Sequence, residues 1–109
     1  MKVAVIGANG QLGSDLVMAF SEKGDAVSEL THADIEISDL PSVSRVLEDI
    51  RPQVIVNTAA MHHVENCQHE PEKAFAVNAL GPRNLALVAR DLGAVMMHVS
   101  TDYVFDGRK

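Results

Sequence analysis

Gly7, Gly10 and Gly13 stand at three-residue spacing in the stretch Gly7-Ala8-Asn9-Gly10-Gln11-Leu12-Gly13, and the chemistry open to such a stretch is the binding of an anion. Where a strand turns into a helix, Gly7 makes a turn that a Cβ would obstruct. Gly10 lets the backbone approach a phosphate, and Gly13 lets the new helix pack tightly on the strand. The first helical turn has N–H groups without internal partners and the positive end of the helix dipole, so a pyrophosphate is its natural ligand. Glycines at this spacing also occur in loops that bind nothing. The elements on either side therefore decide between the two readings.

Those elements favour binding. Lys2-Val3-Ala4-Val5-Ile6 is an almost unbroken apolar run of strand length, as in a parallel strand buried on both faces. Leu12, Leu16 and Phe20 follow at helical spacing, Val17 widens the stripe, and Gly24 after Lys23 is a stop signal. Strand, glycine loop, amphipathic helix and stop in that order read as the opening of a nucleotide-binding βαβ unit.

Further along, Ala26-Val27-Ser28-Glu29-Leu30 reads as a second strand, and Glu29 lies about 20 positions after the loop, where a carboxylate can accept hydrogen bonds from a ribose. The same carboxylate repels a 2′-phosphate, whereas a protonated His32 assists one. The alternative for Glu29 is a solvated strand face. Asp34-Ile35-Glu36-Ile37 alternates like a short half-buried strand. Asp39 then caps a helix carrying Val43, Val46, Leu47 and Ile50 on one face, and it is also well placed for an adenine amino group. Gln53-Val54-Ile55-Val56-Asn57-Thr58 is another buried-strand pattern, with Ala59 and Ala60 as small residues against which a ligand can lie flat. His62, His63, Cys67 and His69 are zinc-ligand types. His62 and His63 are adjacent, however, and Cys67 and His69 point to different sides of a helix, so the segment reads as a polar loop and short helix with no metal.

A helix opening at Glu70-Pro71-Glu72, covered by Ala74, Phe75 and Val77, is expected to bend or break at Gly81-Pro82. Asn78, near that break, either ties backbone to a ligand or caps the next helix, which holds Leu85, Val88, Ala89 and Leu92. Ala94-Val95-Met96-Met97-His98-Val99 is the last strand, with Ser100-Thr101-Asp102 where it emerges.

The 109 residues form one domain, 1–109, with a formal net charge of −6 and 47% hydrophobic content. Nine scattered basic residues argue against nucleic acid as a partner, yet a dinucleotide held by backbone N–H groups remains compatible. One cysteine, no signal peptide before the first strand and no apolar stretch long enough for a bilayer point to a cytoplasmic protein with no membrane partner.

Assembled, these residues resemble the N-terminal part of an extended short-chain dehydrogenase/reductase, most closely the dTDP-4-dehydrorhamnose reductase family. The resemblance rests on Gly7 to Gly13, Val54 to Ala60, Phe75-Ala76-Val77-Asn78-Ala79, and Val99-Ser100-Thr101-Asp102-Tyr103-Val104-Phe105-Asp106-Gly107. It implies a Rossmann-like, doubly wound α/β sheet with helices on both faces, truncated here. It also implies NADP or NAD as cofactor, held by Gly7, Asn9, Gly10, Gln11, Leu12, Gly13, Glu29, His32, Asp39, Leu40, Ala59, Ala60 and Asn78. The reaction implied is hydride transfer to the C4 keto group of a dTDP-linked 4-keto-6-deoxy sugar, on the route to dTDP-L-rhamnose. Thr101 would hydrogen-bond the reacting carbonyl oxygen, with Asp102 beside it. The family's Tyr-x-x-x-Lys proton-donating pair is missing: Tyr103 is the only tyrosine and Gly107 stands four positions on. The chain alone is thus expected to be inactive, with the sugar-nucleotide substrate met in a longer parent. The other reading is a non-catalytic dinucleotide-binding module, as in the regulatory subunit of methionine adenosyltransferase, which resembles the same reductases. His32 stands where an NADP-preferring member often has arginine, so the choice of cofactor stays open. The last strand's uncovered edge is expected to promote self-association.

Overall fold

Val3 and Val5 pack on one face of a strand and Ala4 and Ile6 on the other, and all four are at most 2% exposed. This run can only be central. A computed structural model of the chain describes residues 1–59, 72 and 75–99. In it the run is β1 (Lys2–Ile6), followed by α1 (Gln11–Glu22), β2 (Ala26–Leu30), α2 (Leu40–Ile50) and β3 (Val54–Asn57). A π-helical turn (Ala76–Leu80), α3 (Gly81–Leu92) and β4 (Val95–His98) complete the described elements. The strands form one parallel sheet in the order β2-β1-β3-β4. From β1 the chain first steps outward to β2 and then returns across β1 to β3. The order therefore reverses between β1 and β3, and a crevice opens at their carboxyl ends.

Helices cover both faces. Leu16, Val17 and Phe20 of α1 pack on Val3, Val5 and Val56. Val43 and Leu47 of α2, with Leu85, Val88 and Ala89 of α3, pack on Ala4, Ile6 and Ile55. The architecture is the expected Rossmann-like α/β fold, and the helix stripes expected for α1, α2 and α3 are the faces that they bury.

Two local expectations are corrected. Asp34 to Ile37 is not a strand. Ile35 and Ile37 are buried, at 3% and 4% exposure, as the alternation implies, but side chains satisfy the backbone instead of a ladder. Ser42 Oγ accepts from the Glu36 N–H at 3.0 Å. Asn84 Nδ2 donates to the Ile37 carbonyl at 2.9 Å, and Asn84 is itself buried. A Cβ at Gly81 would come within 2.5 Å of Ile37 Cδ1, so glycine there lets α3 sit on this segment. The chain also does not break at Gly81-Pro82. It runs helically from the π turn into α3, with Gly81 at φ −57° and ψ −57°. Pro82 falls in the first turn of α3, where its missing N–H costs least, directly after the π turn. Val77 reaches the core from the π turn, whereas Phe75 is 62% exposed and covers nothing among the described residues.

Helix α1 ends through Lys23 and Gly24, the latter at φ +92°, and α3 ends at Gly93, at φ +71°. No helix among the described residues is long and apolar enough to cross a membrane.

Candidate dinucleotide site at the glycine loop

The loop after β1 is bolted to its neighbours through backbone. Gly7 adopts φ +84°, a conformation that favours glycine. From there the Gly7 and Ala8 N–H groups both donate to the Leu30 carbonyl at the end of β2, at 2.8 and 3.2 Å. The Gly10 N–H donates to the Gly7 carbonyl at 3.0 Å. On the other side, the Thr58 N–H and hydroxyl donate to the Ile6 carbonyl at 2.9 and 2.7 Å, and the hydroxyl also reaches the Gly7 carbonyl at 3.3 Å. The loop is thus tied to both strands flanking β1.

The three glycines do different work. A Cβ at Gly7 would lie 2.5 Å from Thr58 Oγ1. A Cβ at Gly13 would run into the Gly7 carbonyl, so this glycine is what allows α1 to start against the loop. Gly10 is otherwise. Its φ of −81° and ψ of 171° suit any residue, and a Cβ there would meet nothing nearer than the Gly7 carbonyl at 3.5 Å. Internal packing does not need glycine at this position, which leaves it open to the close approach of a ligand expected from the sequence.

The start of α1 supports that reading. Gly10 has no side chain to cap the helix, and no acid stands in the first turn. Ser14 makes the first helical bond, to the Gly10 carbonyl. The N–H groups of Gln11, Leu12 and Gly13 have no acceptor among the described residues. Helix α2 is built differently, because Asp39 accepts from the Ser42 N–H at 3.3 Å and caps its own helix. The positive end of the helix dipole and N–H groups without acceptors suit an anion.

The other candidates are placed as follows. Asn9 and Gln11 are exposed and Leu12 is half-buried at the loop. Glu29 is exposed on β2, paired with Val5, one residue before the strand's last residue, Leu30. His32 is exposed in the turn that follows. Leu40 opens α2 at 41% exposure beside the Asp39 cap. Ala59 is half-buried directly after β3, and Asn78 is exposed in the π turn with an interaction of its own. Ala60, Thr101 and Asp102 lie outside the described residues, as do His62, His63, Cys67 and His69. Among the described residues no group of three or more His, Cys, Asp or Glu side chains is arranged to hold a metal.

Two residues that shape the site carry no spacing signal in the sequence. Thr58 is the clamp described above. Asn57, fully buried at the end of β3, accepts from the Ala59 N–H through Oδ1 at 3.0 Å, and its Nδ2 lies 3.1 Å from His98 Nδ1 on β4. It thereby fixes the backbone that leaves the sheet into the crevice. The available signal was a polar residue in a run of buried ones, which must find partners.

The family model for the RmlD substrate binding domain matches residues 1–109. The chain belongs to this family. A dTDP-4-dehydrorhamnose reductase of Streptomyces griseus is 43% identical over 94% of the chain and 34% of its own length. The chain thus spans about a third of the length of that relative. Among solved structures, a dTDP-4-dehydrorhamnose reductase of Clostridium acetobutylicum superposes with a TM-score of 0.88 at 37% identity, over all of this chain and 39% of that one. Another, from Bacillus anthracis and solved in complex with NADP, superposes with a TM-score of 0.85 at 33% identity, over 99% of this chain and 39% of that one.

The unequal roles of the glycines predict unequal variants. Gly10→Ser should keep or raise stability, within about 1 kcal/mol, because serine is a good N-cap. Gly13→Ala should lose about 1–3 kcal/mol or more through overpacking against Gly7. Urea unfolding followed by circular dichroism compares them, and equal losses would contradict the assignment.

Proposed function

We propose that the chain is the dinucleotide-binding portion of an NAD(P)-dependent sugar-nucleotide reductase. The observation that carries this reading is the uncapped start of α1 beside an open glycine, at the point where the strand order reverses. Gln11, Leu12 and Gly13 would present N–H groups to the pyrophosphate. Asp39 would face the adenine amino group with its remaining lone pairs, and Ala59 and Ala60 would form a flat wall. A bound nicotinamide cofactor supplies the hydride.

The resemblance of Val99 to Gly107 to dTDP-4-dehydrorhamnose reductases supports a dTDP-4-keto-6-deoxy sugar as the substrate of the whole protein, with Thr101 at the reacting carbonyl oxygen and Asp102 beside it. Proton donation needs a tyrosine whose pKa is lowered by a nearby lysine, and the 109 residues contain no Tyr-x-x-x-Lys. These residues alone therefore bind without turning over. The same observation favours a second reading, a non-catalytic dinucleotide-binding or regulatory module. A cytoplasmic location without nucleic-acid or membrane partners fits both.

Calorimetric titration with NADH and NADPH should show binding by the chain, and Gly10→Ser, still folded, should lose about tenfold or more in affinity. Unchanged binding by that variant would remove the loop from the site. On β4, Val95 and Met97 are 60% and 46% exposed, and no described strand lies beyond them. An uncovered edge promotes pairing with another chain, so these 109 residues by themselves are expected to self-associate, and light scattering that finds only monomer at high concentration would contradict it.

A further inference from the structure

Asn9 is followed by Gly10, whereas the other asparagines of the chain precede Thr58, Cys67, Ala79 and Leu85. Asparagine is a chemically labile residue, and the residue after it sets how labile. The reaction is attack by the next backbone nitrogen on the side-chain amide carbon, and glycine alone puts no Cβ in the way of that approach.

The surroundings of this pair leave it open to the reaction. Asn9 and Gly10 are both exposed, in the turn between β1 and α1. The Asn9 carboxamide has no hydrogen-bond partner among the described residues. Asn57 and Asn84 are the contrast, since both are buried and both spend their side chains on backbone groups. The attacking nitrogen is restrained by one bond, from the Gly10 N–H to the Gly7 carbonyl at 3.0 Å, which must open first. Gly10 is the N-cap of α1, so the positive end of the helix dipole favours the negative charge that gathers as the nitrogen loses its proton and attacks.

We infer that Asn9-Gly10 is a self-modification site whose product shuts the anion site beside it. The Gly10 nitrogen bonds to Asn9 Cγ, the bond from Cγ to Nδ2 breaks, and Nδ2 leaves as ammonia with the proton that Gly10 gave up. Water then opens the resulting succinimide on either side, giving aspartate or isoaspartate, with no change of oxidation state. Either product puts a carboxylate immediately before the start of α1. That charge suits the helix dipole, so the fold persists. It also repels a second anion at the same place, so, resting on the dinucleotide reading above, the modified chain loses its cofactor. A bound dinucleotide covers the loop, and the reaction therefore selects chains that stay empty.

The test incubates the 109-residue chain in mildly alkaline buffer with and without saturating NADH, follows each asparagine by peptide mass spectrometry, and titrates fresh and aged chain with NADH by calorimetry. Asn9 should gain the mass of an amide turned acid well before Asn57 or Asn84, and several-fold more slowly when NADH is present. The modified fraction should bind NADH about tenfold or more weakly, with an unchanged circular dichroism spectrum. Asn9→Gln, which can close only a larger and slower ring, should keep its own fresh affinity over the same incubation. An Asn9 that survives while a free peptide of the Gly7 to Gly13 stretch is converted would overturn the site. Modified chain that binds as tightly as fresh chain would overturn the consequence for binding. Failure of fresh, folded chain to bind NADH would overturn the dinucleotide reading and the consequence with it, while the mass gain at Asn9 would still decide the modification.

Discussion

The Gly7 carbonyl is the point on which the site turns. It accepts from the Gly10 N–H and the Thr58 hydroxyl, and Gly13 packs against it so closely that a side chain cannot intervene. Through these contacts the first turn of α1 is fixed relative to β1 and β3, and the Leu30 carbonyl adds β2. A helix start held at several points does not need to reorganise when charge arrives. Preorganised N–H groups therefore lose less on binding than a flexible loop would.

That arrangement explains how a chain of net charge −6 can host an anionic ligand. The attraction comes from oriented backbone dipoles over a few ångströms, not from the overall field of the protein. Acidic side chains collect instead on the β2–α2 connection, where Glu29, Asp34, Glu36 and Asp39 stand with no Lys or Arg between Lys23 and Arg45. The same connection is held from below by α3. Asn84 satisfies the Ile37 carbonyl in a buried position, where leaving that group unpaired costs about 1–3 kcal/mol. Packing on the α2/α3 face thus reaches this connection through the Asn84 and Ser42 hydrogen bonds and through the buried Ile35 and Ile37.

Much of this was legible in the sequence, and for physical reasons. Central parallel strands are buried on both faces, so β1 and β3 announce themselves as apolar runs, and the stripes of α1, α2 and α3 repeat at helical spacing. The Asp39 cap was legible because a carboxylate one residue before a helix has few better uses. Asp34 to Ile37 misled because alternation reports which side chains are buried, not which groups the backbone bonds to. Of the bend or break expected at Gly81-Pro82, the break does not occur, because Pro82 falls in the first turn of α3, directly after a π turn. Asn57 and Thr58 were silent as site residues, since a lone polar residue at a strand end has no period. The unequal roles of the glycines were legible too, Gly7 for the turn and Gly13 for helix packing, and what the sequence did not name is the Gly7 carbonyl and Thr58 hydroxyl that a Cβ at these positions would strike.

The most direct measurement of the central claim is amide NMR of the ¹⁵N-labelled chain during titration with NADH. The account predicts that the largest shifts fall on the Gln11, Leu12 and Gly13 N–H groups, which have no acceptor among the described residues. Shifts confined to other elements, with these three amides unmoved at saturation, would contradict it.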